Sequence, residues 1–99
     1  MTRTIRPAVQ VIDYARRLPP ESRRAVKRAL RELAHERGDT QALDGTLAGY
    51  HRLRVGRHRI IFSYASDGAI EAVFIGERSL VYELFEAEFV RRLSKRNPA

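Results

Sequence analysis

Two glycine-containing dipeptides, Gly56-Arg57 and Asp67-Gly68, separate three runs that read as strands. No other feature constrains the chain as strongly. Glycine at the first central position suits a two-residue hairpin turn, and Asp-Gly is a strong hairpin signal in its own right. The flanking runs, Tyr50–Val55, His58–Ala65 and Ala69–Gly76, are rich in Ile, Val, Phe and Tyr, the residues that pack well on a pleated surface. Three antiparallel strands are expected.

Turns set register, and register assigns each side chain to a face. A two-residue loop at Gly56-Arg57 puts Val55 opposite His58, Arg54 opposite Arg59, Leu53 opposite Ile60 and Arg52 opposite Ile61. Carried through Asp67-Gly68, the same rule puts Ala65 opposite Ile70, Ile61 opposite Phe74 and Arg59 opposite Gly76. Opposed residues share a face. One face therefore holds Leu53, Val55, Ile60 and Phe62 and reads as core. The other holds Tyr50, Arg52, Arg54 and Arg59, and Arg78 joins it if the third strand runs on. Gly76 is expected to leave space beside Arg59, and Tyr82, one helical turn past Arg78, reaches the edge of the basin.

The basin is unusually basic. The stretch "GYHRLRVGRHRIIF", Gly49 to Phe62, contains four arginines, two histidines and no carboxylate. A solvated sheet face is the plain explanation, because antiparallel sheets often wet one side. Directly opposed like charges are destabilising, however, and Ile61 and Phe74 make this face mixed rather than polar. A bound anion resolves both difficulties. The whole chain agrees: nineteen Lys and Arg against twelve Asp and Glu give a formal charge of +7, and only Lys27 and Lys95 are lysine. Arginine favours bidentate recognition of phosphate or carboxylate, so nucleic acid or an acidic protein is the natural partner. Tyr50 could stack on a base or serve packing.

Ahead of the strands the period is helical. Ala8, Val11, Ile12, Ala15 and Leu18 form one stripe, with Pro7 expected in the first turn. Pro19-Pro20 ends that helix, and Pro20 opens a second whose buried face is Ala25, Val26, Ala29, Leu30 and Leu33. The pair reads as an antiparallel helical hairpin. Thr2–Arg6 has room for a short strand, and the polar segment from Gly38 to Gly49 reads as a loop. Helical spacing returns in "SLVYELFEAEFVRRLSK" through Leu84, Phe85, Phe89 and Leu93. Its acids (Glu83, Glu86, Glu88) come early and its bases (Arg91, Arg92, Lys95, Arg96) late, as a helix dipole prefers. The expected fold is α+β: an N-terminal helical hairpin packed on a small antiparallel sheet, closed by a C-terminal helix, in a single domain over residues 1–99.

Several chemistries find no support. The chain has no cysteine, so disulfides and thiolate metal sites are excluded and a cytoplasmic location is permitted. No apolar run approaches the roughly 20 residues that span a bilayer. His35, His51 and His58 lack metal-ligand spacing, and no cofactor motif appears. His51 falls on the core-facing parity and His58 beside a turn, so both read as structural.

With "LPPESRR" between two helices, "LDGTLAGYHRLRVGRHRIIFSY" through the first hairpin and "VFIGERSLVYELF" entering the last helix, the sequence resembles the RelE/ParE toxin superfamily of bacterial type II toxin–antitoxin systems. The likeness runs from about Arg6 to Leu93 and rests on the order and spacing of these pieces together. It implies a microbial-ribonuclease-like fold and a cognate antitoxin as partner. RelE-type members cut mRNA in the ribosomal A site, contacting ribosomal RNA; ParE-type members poison DNA gyrase. The RelE-type pattern lands on Arg52, Arg54, Arg59, Arg78 and Tyr82, which favours a metal-independent endoribonuclease. The resemblance then implies Arg59, Arg78 and Tyr82 as catalytic and Arg52 and Arg54 as RNA-binding; Tyr50 is counted with the RNA-binding pair from its place on the same face. RelE-type members often carry lysine where this chain has Arg52 and Arg54. Arginine keeps its proton far above neutral pH, so proton transfer would fall to Tyr82, a histidine or the ribosome.

Overall fold

Proline at 19 and 20 cannot continue one helix but can begin another, and the backbone follows that logic. In the computed structural model, which describes residues 2–96, helix α1 spans Val9–Arg16 and α2 spans Pro20–Ala34. Pro20 sits in the first turn of α2, where its missing N–H costs nothing. Arg23, in the same turn, reaches back to donate from Nη2 to the carbonyls of Arg16 (3.2 Å) and Leu18 (3.1 Å). It thereby satisfies acceptors that the end of α1 leaves free.

Two short strands complete the sheet, one overlapping Thr2–Arg6, where there was room for it, and one that was not expected. Strand β1 is Ile5–Pro7, β2 is Thr40–Ala42, β3 is His51–Val55, β4 is His58–Tyr64 and β5 is Ile70–Glu77. Their order across the sheet is β1-β5-β4-β3-β2. The sheet is mixed rather than wholly antiparallel, because β1 pairs parallel to β5. The Ile70 N–H donates to Thr4 O and the Ala8 N–H to Ala72 O, each at 2.8 Å. Pro7 thus closes an edge strand instead of opening α1, a position where its lost donor is tolerated. Strand β2 lies inside the segment expected to be a loop. All three of its residues are exposed, so it leaves no apolar alternation to read.

The first hairpin has the expected register, with Arg54 opposite Arg59 and Arg52 opposite Ile61. In the second, Arg59 faces Gly76 and Ile61 faces Phe74, also as expected. Nearer the turn the expectation fails. Tyr64, not Ala65, faces Ile70, because Ala65 and Ala69 close a longer loop in which Gly68 adopts φ +87°. A bulge at Val73, between the pairs Ile61–Phe74 and Phe62–Ala72, restores the count. Two irregularities cancel, and the distal half of the hairpin keeps its faces.

Both faces of the sheet are covered. On one, α1 and α2 bury Val11, Val26 and Leu33 against Leu53, Ile60, Phe62, Ile70, Ala72 and Ile75. On the other lies helix α3, Leu80–Arg96, whose Val81 and Phe85 pack on Ile61 and Leu47. Leu84 and Leu93, expected on the buried stripe of α3, are instead 48% and 51% exposed. The side chains of Lys95 and Arg96, expected among its late bases, lie outside the described ones.

Candidate anion-binding site

The arginine face of the sheet is not an open plain, because the start of α3 crosses it. Gly76 makes that crossing possible. A Cβ there would lie 3.1 Å from Val81 Cβ and Cγ2 and 3.3 Å from its Cα. The space expected beside Arg59 is therefore filled by Val81, and glycine is needed for close packing of helix on strand. What remains basic is the end of the sheet beyond the helix: the β3–β4 hairpin and the end of β5.

There the backbone carbonyls of one turn organise two arginines. Arg59 Nη1 donates to Gly56 O (2.7 Å) and His58 O (2.9 Å). The Arg78 N–H donates to Arg57 O at 2.9 Å, tying the end of β5 to the same turn. Arg78 is exposed, with φ +40°, a conformation costly for a residue with a Cβ. Strain of this sort commonly marks a position held for function. The strained residue also ends β5 and lets α3 begin at once, with the Val81 N–H on Arg78 O at 3.3 Å. The carbonyl contacts were invisible in the sequence.

Each expected site residue can now be placed. Arg54 and Arg59 are directly opposed, Arg54 exposed and Arg59 partly so. Tyr82 is half-buried in the first turn of α3, against the cluster of Ile61, Val81 and Phe85. Arg52 lies on the same face but turns toward β2, where Asp39 and Gln41 hold it. Tyr50 stands apart. Its ring packs edge-on against Phe85 (5.1 Å) and Phe89 (6.3 Å), and it lines a hollow of about 200 Å³ with Val73, Glu88 and Arg92. The structure thus favours the packing reading of Tyr50.

Two histidines lie on the opposite face. His51 stacks on Phe62 at 5.2 Å, and His58 is buried, with Nδ1 3.0 Å from the Tyr14 hydroxyl of α1. Burial holds the His58 imidazole below its usual pKa and pushes the Tyr14 phenol above its own. Neither ring shares the arginine face, so both serve the core, as strand parity suggested for His51 and the neighbouring turn for His58. Among the described residues no group of three or more His, Asp or Glu is placed to hold a metal ion. No helix is long and apolar enough to cross a membrane, again among the described residues.

The order of elements, two helices, a small mixed sheet and a helix crossing one of its faces, is shared by solved structures. The RelBE2 toxin–antitoxin complex from Mycobacterium tuberculosis contains a chain that superposes with a TM-score of 0.69 at 23% identity, covering 79% of this chain and 100% of that one. The archaeal RelE–RelB complex from Pyrococcus horikoshii OT3 gives 0.66 at 26% identity, over 80% and 98%. The YoeB–YefM complex from Staphylococcus aureus gives 0.60 at 16% identity, over 79% and 99%. No protein-family model matches the chain, and no curated protein does. The chain has the fold of the RelE-type toxin superfamily.

Proposed function

We propose that this protein is the toxin of a type II toxin–antitoxin pair, acting in the cytoplasm as a ribosome-dependent mRNA endoribonuclease and held inactive by a cognate antitoxin. The observation that carries this reading is the placement of Arg54, Arg59 and Arg78 around the β3–β4 turn, with Tyr82 in the first turn of α3. Similar folds found in complexes with antitoxins support the toxin half of it.

The chemistry follows from charge. Attack of a ribose 2′-oxygen on the adjacent phosphorus forms one P–O bond and breaks the bond to the 5′-oxygen. The 2′-hydroxyl gives up its proton, and the departing 5′-oxygen takes one. The products are a 2′,3′-cyclic phosphate and a 5′-hydroxyl. Between them lies a phosphorane carrying extra negative charge, which fixed cationic donors stabilise more than they stabilise the ground state. Arg59 and Arg78 take that role. Arg52 and Arg54 grip the flanking backbone of mRNA and ribosomal RNA, and Tyr82 orients the nucleotide. The N-terminus of α3 adds its partial positive charge on the same side. With His51 and His58 facing away, proton transfer rests with Tyr82 or with groups of the ribosome.

Expression in a bacterial host should arrest translation, and primer extension should show new 5′ ends within coding sequences. Arg59→Ala with Arg78→Ala should abolish both. Arrest with intact transcripts would contradict the nuclease reading. It would instead favour a ParE-like toxin acting on DNA gyrase. Retained toxicity in the double variant, together with cleaved gyrase–DNA complexes, would establish that alternative.

A further inference from the structure

Arg52 differs from its neighbours on the arginine face in being held by side chains. Its Nη1 donates to Asp39 O (3.1 Å) and Asp39 Oδ1 (3.3 Å), and its Nη2 donates to Gln41 Oε1 (2.8 Å). The backbone makes this grip possible: Gln41 is the direct partner of Arg52 across β2 and β3, and the Arg54 N–H donates to Asp39 O at 2.9 Å. The pair is lopsided. The Arg52 side chain is only 17% exposed, whereas that of Asp39 is 57% exposed.

A guanidinium has five N–H donors. Three of the five are engaged here, which leaves Nε–H and one Nη2–H. Nε–H lies on the side edge of the fork, the edge along which Nε and Nη2 together take a phosphate in bidentate fashion. Asp39 does two opposed things. Its oxygens fix the plane of the guanidinium, and its charge subtracts from the attraction that guanidinium exerts on an anion. Being mostly wet, the carboxylate can move into water at little cost, while the desolvated arginine stays with Gln41.

We propose that β2, with Asp39 just before it, is a positioning strap for the RNA site: Gln41 and Asp39 present the free edge of Arg52 to a backbone phosphate, and the Asp39 carboxylate sets how strongly that phosphate is held. The inference rests on the RNA-binding reading of the arginine face. It assigns a role to a strand whose three residues are all exposed and whose sequence carries no strand signal.

Charge separates this role from a structural one. Asp39→Asn keeps an acceptor oxygen for Nη1 and removes only the charge. The probe is a short single-stranded RNA with 2′-O-methyl groups, which cannot be cleaved, titrated over a range of salt concentrations. Asp39→Asn should bind several-fold tighter at low salt, and the slope of log affinity against log salt should steepen by about 0.7, the contribution of one added contact to a single strand. Gln41→Ala should bind more weakly than wild type, because the fork loses its orientation. In an Arg52→Ala background, Asp39→Asn should change neither affinity nor slope, since the carboxylate acts through that arginine. Wild-type binding with an unchanged Asp39→Asn slope, or the same gain with and without Arg52, overturns the strap while leaving the RNA reading intact. A wild-type protein that does not bind the RNA overturns the RNA reading itself, and the strap with it.

Discussion

Arg54 and Arg59 are direct cross-strand partners in the β3–β4 hairpin, two guanidinium-bearing residues whose Cα atoms are paired in register. Like charges in that relation destabilise a sheet by a few tenths of a kcal/mol up to about 1 kcal/mol. Arg59 lessens the conflict by folding back onto Gly56 O and His58 O. The remaining repulsion is a cost of gathering charge at one place. Arg54→Ala should therefore raise the denaturation midpoint slightly while weakening RNA binding and shallowing its salt dependence. Denaturant titration and RNA titration on the same variant check the pairing of gain with loss. A variant less stable than wild type would mean that the opposed charges are not in conflict.

The backbone of Arg78 makes a separate prediction. At φ +40° the arginine pays a steric penalty that glycine does not, on the order of 1 kcal/mol. Arg78→Gly should fold at least as stably as wild type and lose its toxicity. Arg78→Ala should lose toxicity too but gain nothing in stability, because it keeps the Cβ. Thermal melts beside a growth assay separate the two contributions. Equal melting temperatures for the Gly and Ala variants would show that the conformation is not strained.

Gly76 places α3 over the sheet. The 3.1 Å approach of Val81 to its missing Cβ leaves no room for a methyl group, and the neighbour is a rigid β-branched side chain with backbone behind it. Gly76→Ala should cost about 1–3 kcal/mol, as overpacking does. Because Arg78 and Tyr82 ride on the segment that must shift, activity should fall further than the loss of folded protein explains. Measuring cleavage per folded molecule tests this; a drop that merely tracks stability would mean that the helix is not what sets the site.

His58 ties stability to pH. Burial lowers its folded-state pKa, as do the nearby Arg57 and Arg59, while Glu77 across β5 raises it in part. The folded value lies below the unfolded one of about 6.5. Above that pH the ring is neutral in both states and its contribution is complete. As pH falls below about 6.5 the unfolded chain takes up a proton that the folded chain resists, and stability declines. Denaturant midpoints at pH 8 and pH 5.5 should differ in that direction for wild type. His58→Gln should flatten the difference, and an undiminished pH slope in that variant would remove His58 as its source.

What the sequence disclosed, and what it hid, follows from how each feature is encoded. The pairing of Arg54 with Arg59 was legible because one glycine turn and a two-residue period determine it. The register at Arg59 and Gly76 came out right although the loop at Ala65–Ala69 was misjudged, since the bulge at Val73 compensates. Strand β1 was legible only as room for a short strand over Thr2–Arg6, and β2 not at all, for a different reason. Three residues each, they are held by backbone pairing rather than by a buried side-chain pattern. Gly76 was noticed but misread, because a glycine records that something approaches closely without saying what. The carbonyls of Gly56, Arg57 and His58 carry no side-chain identity at all, so their grip on Arg59 and Arg78 could be found only in three dimensions.

The last prediction concerns the proposed antitoxin. Two routes could silence the site: carboxylates brought directly to Arg54 and Arg78, or displacement of α3 with Tyr82. Displacement is the more expensive, because it exposes Val81, Phe85 and the aromatic cluster of Tyr50 and Phe74 that packs with them. Fully exposing each large apolar side chain costs about 1.5–3 kcal/mol. Direct neutralisation is therefore expected, and a chain of charge +7 should attract its partner from a distance. Association should then be fast at low salt and slow about tenfold or more as ionic strength rises and screening shortens the reach of the arginines. Dissociation, governed by buried contacts, should change far less. Stopped-flow rates at low and high salt distinguish the routes, and a partner that associates equally fast in both eliminates neutralisation by direct contact.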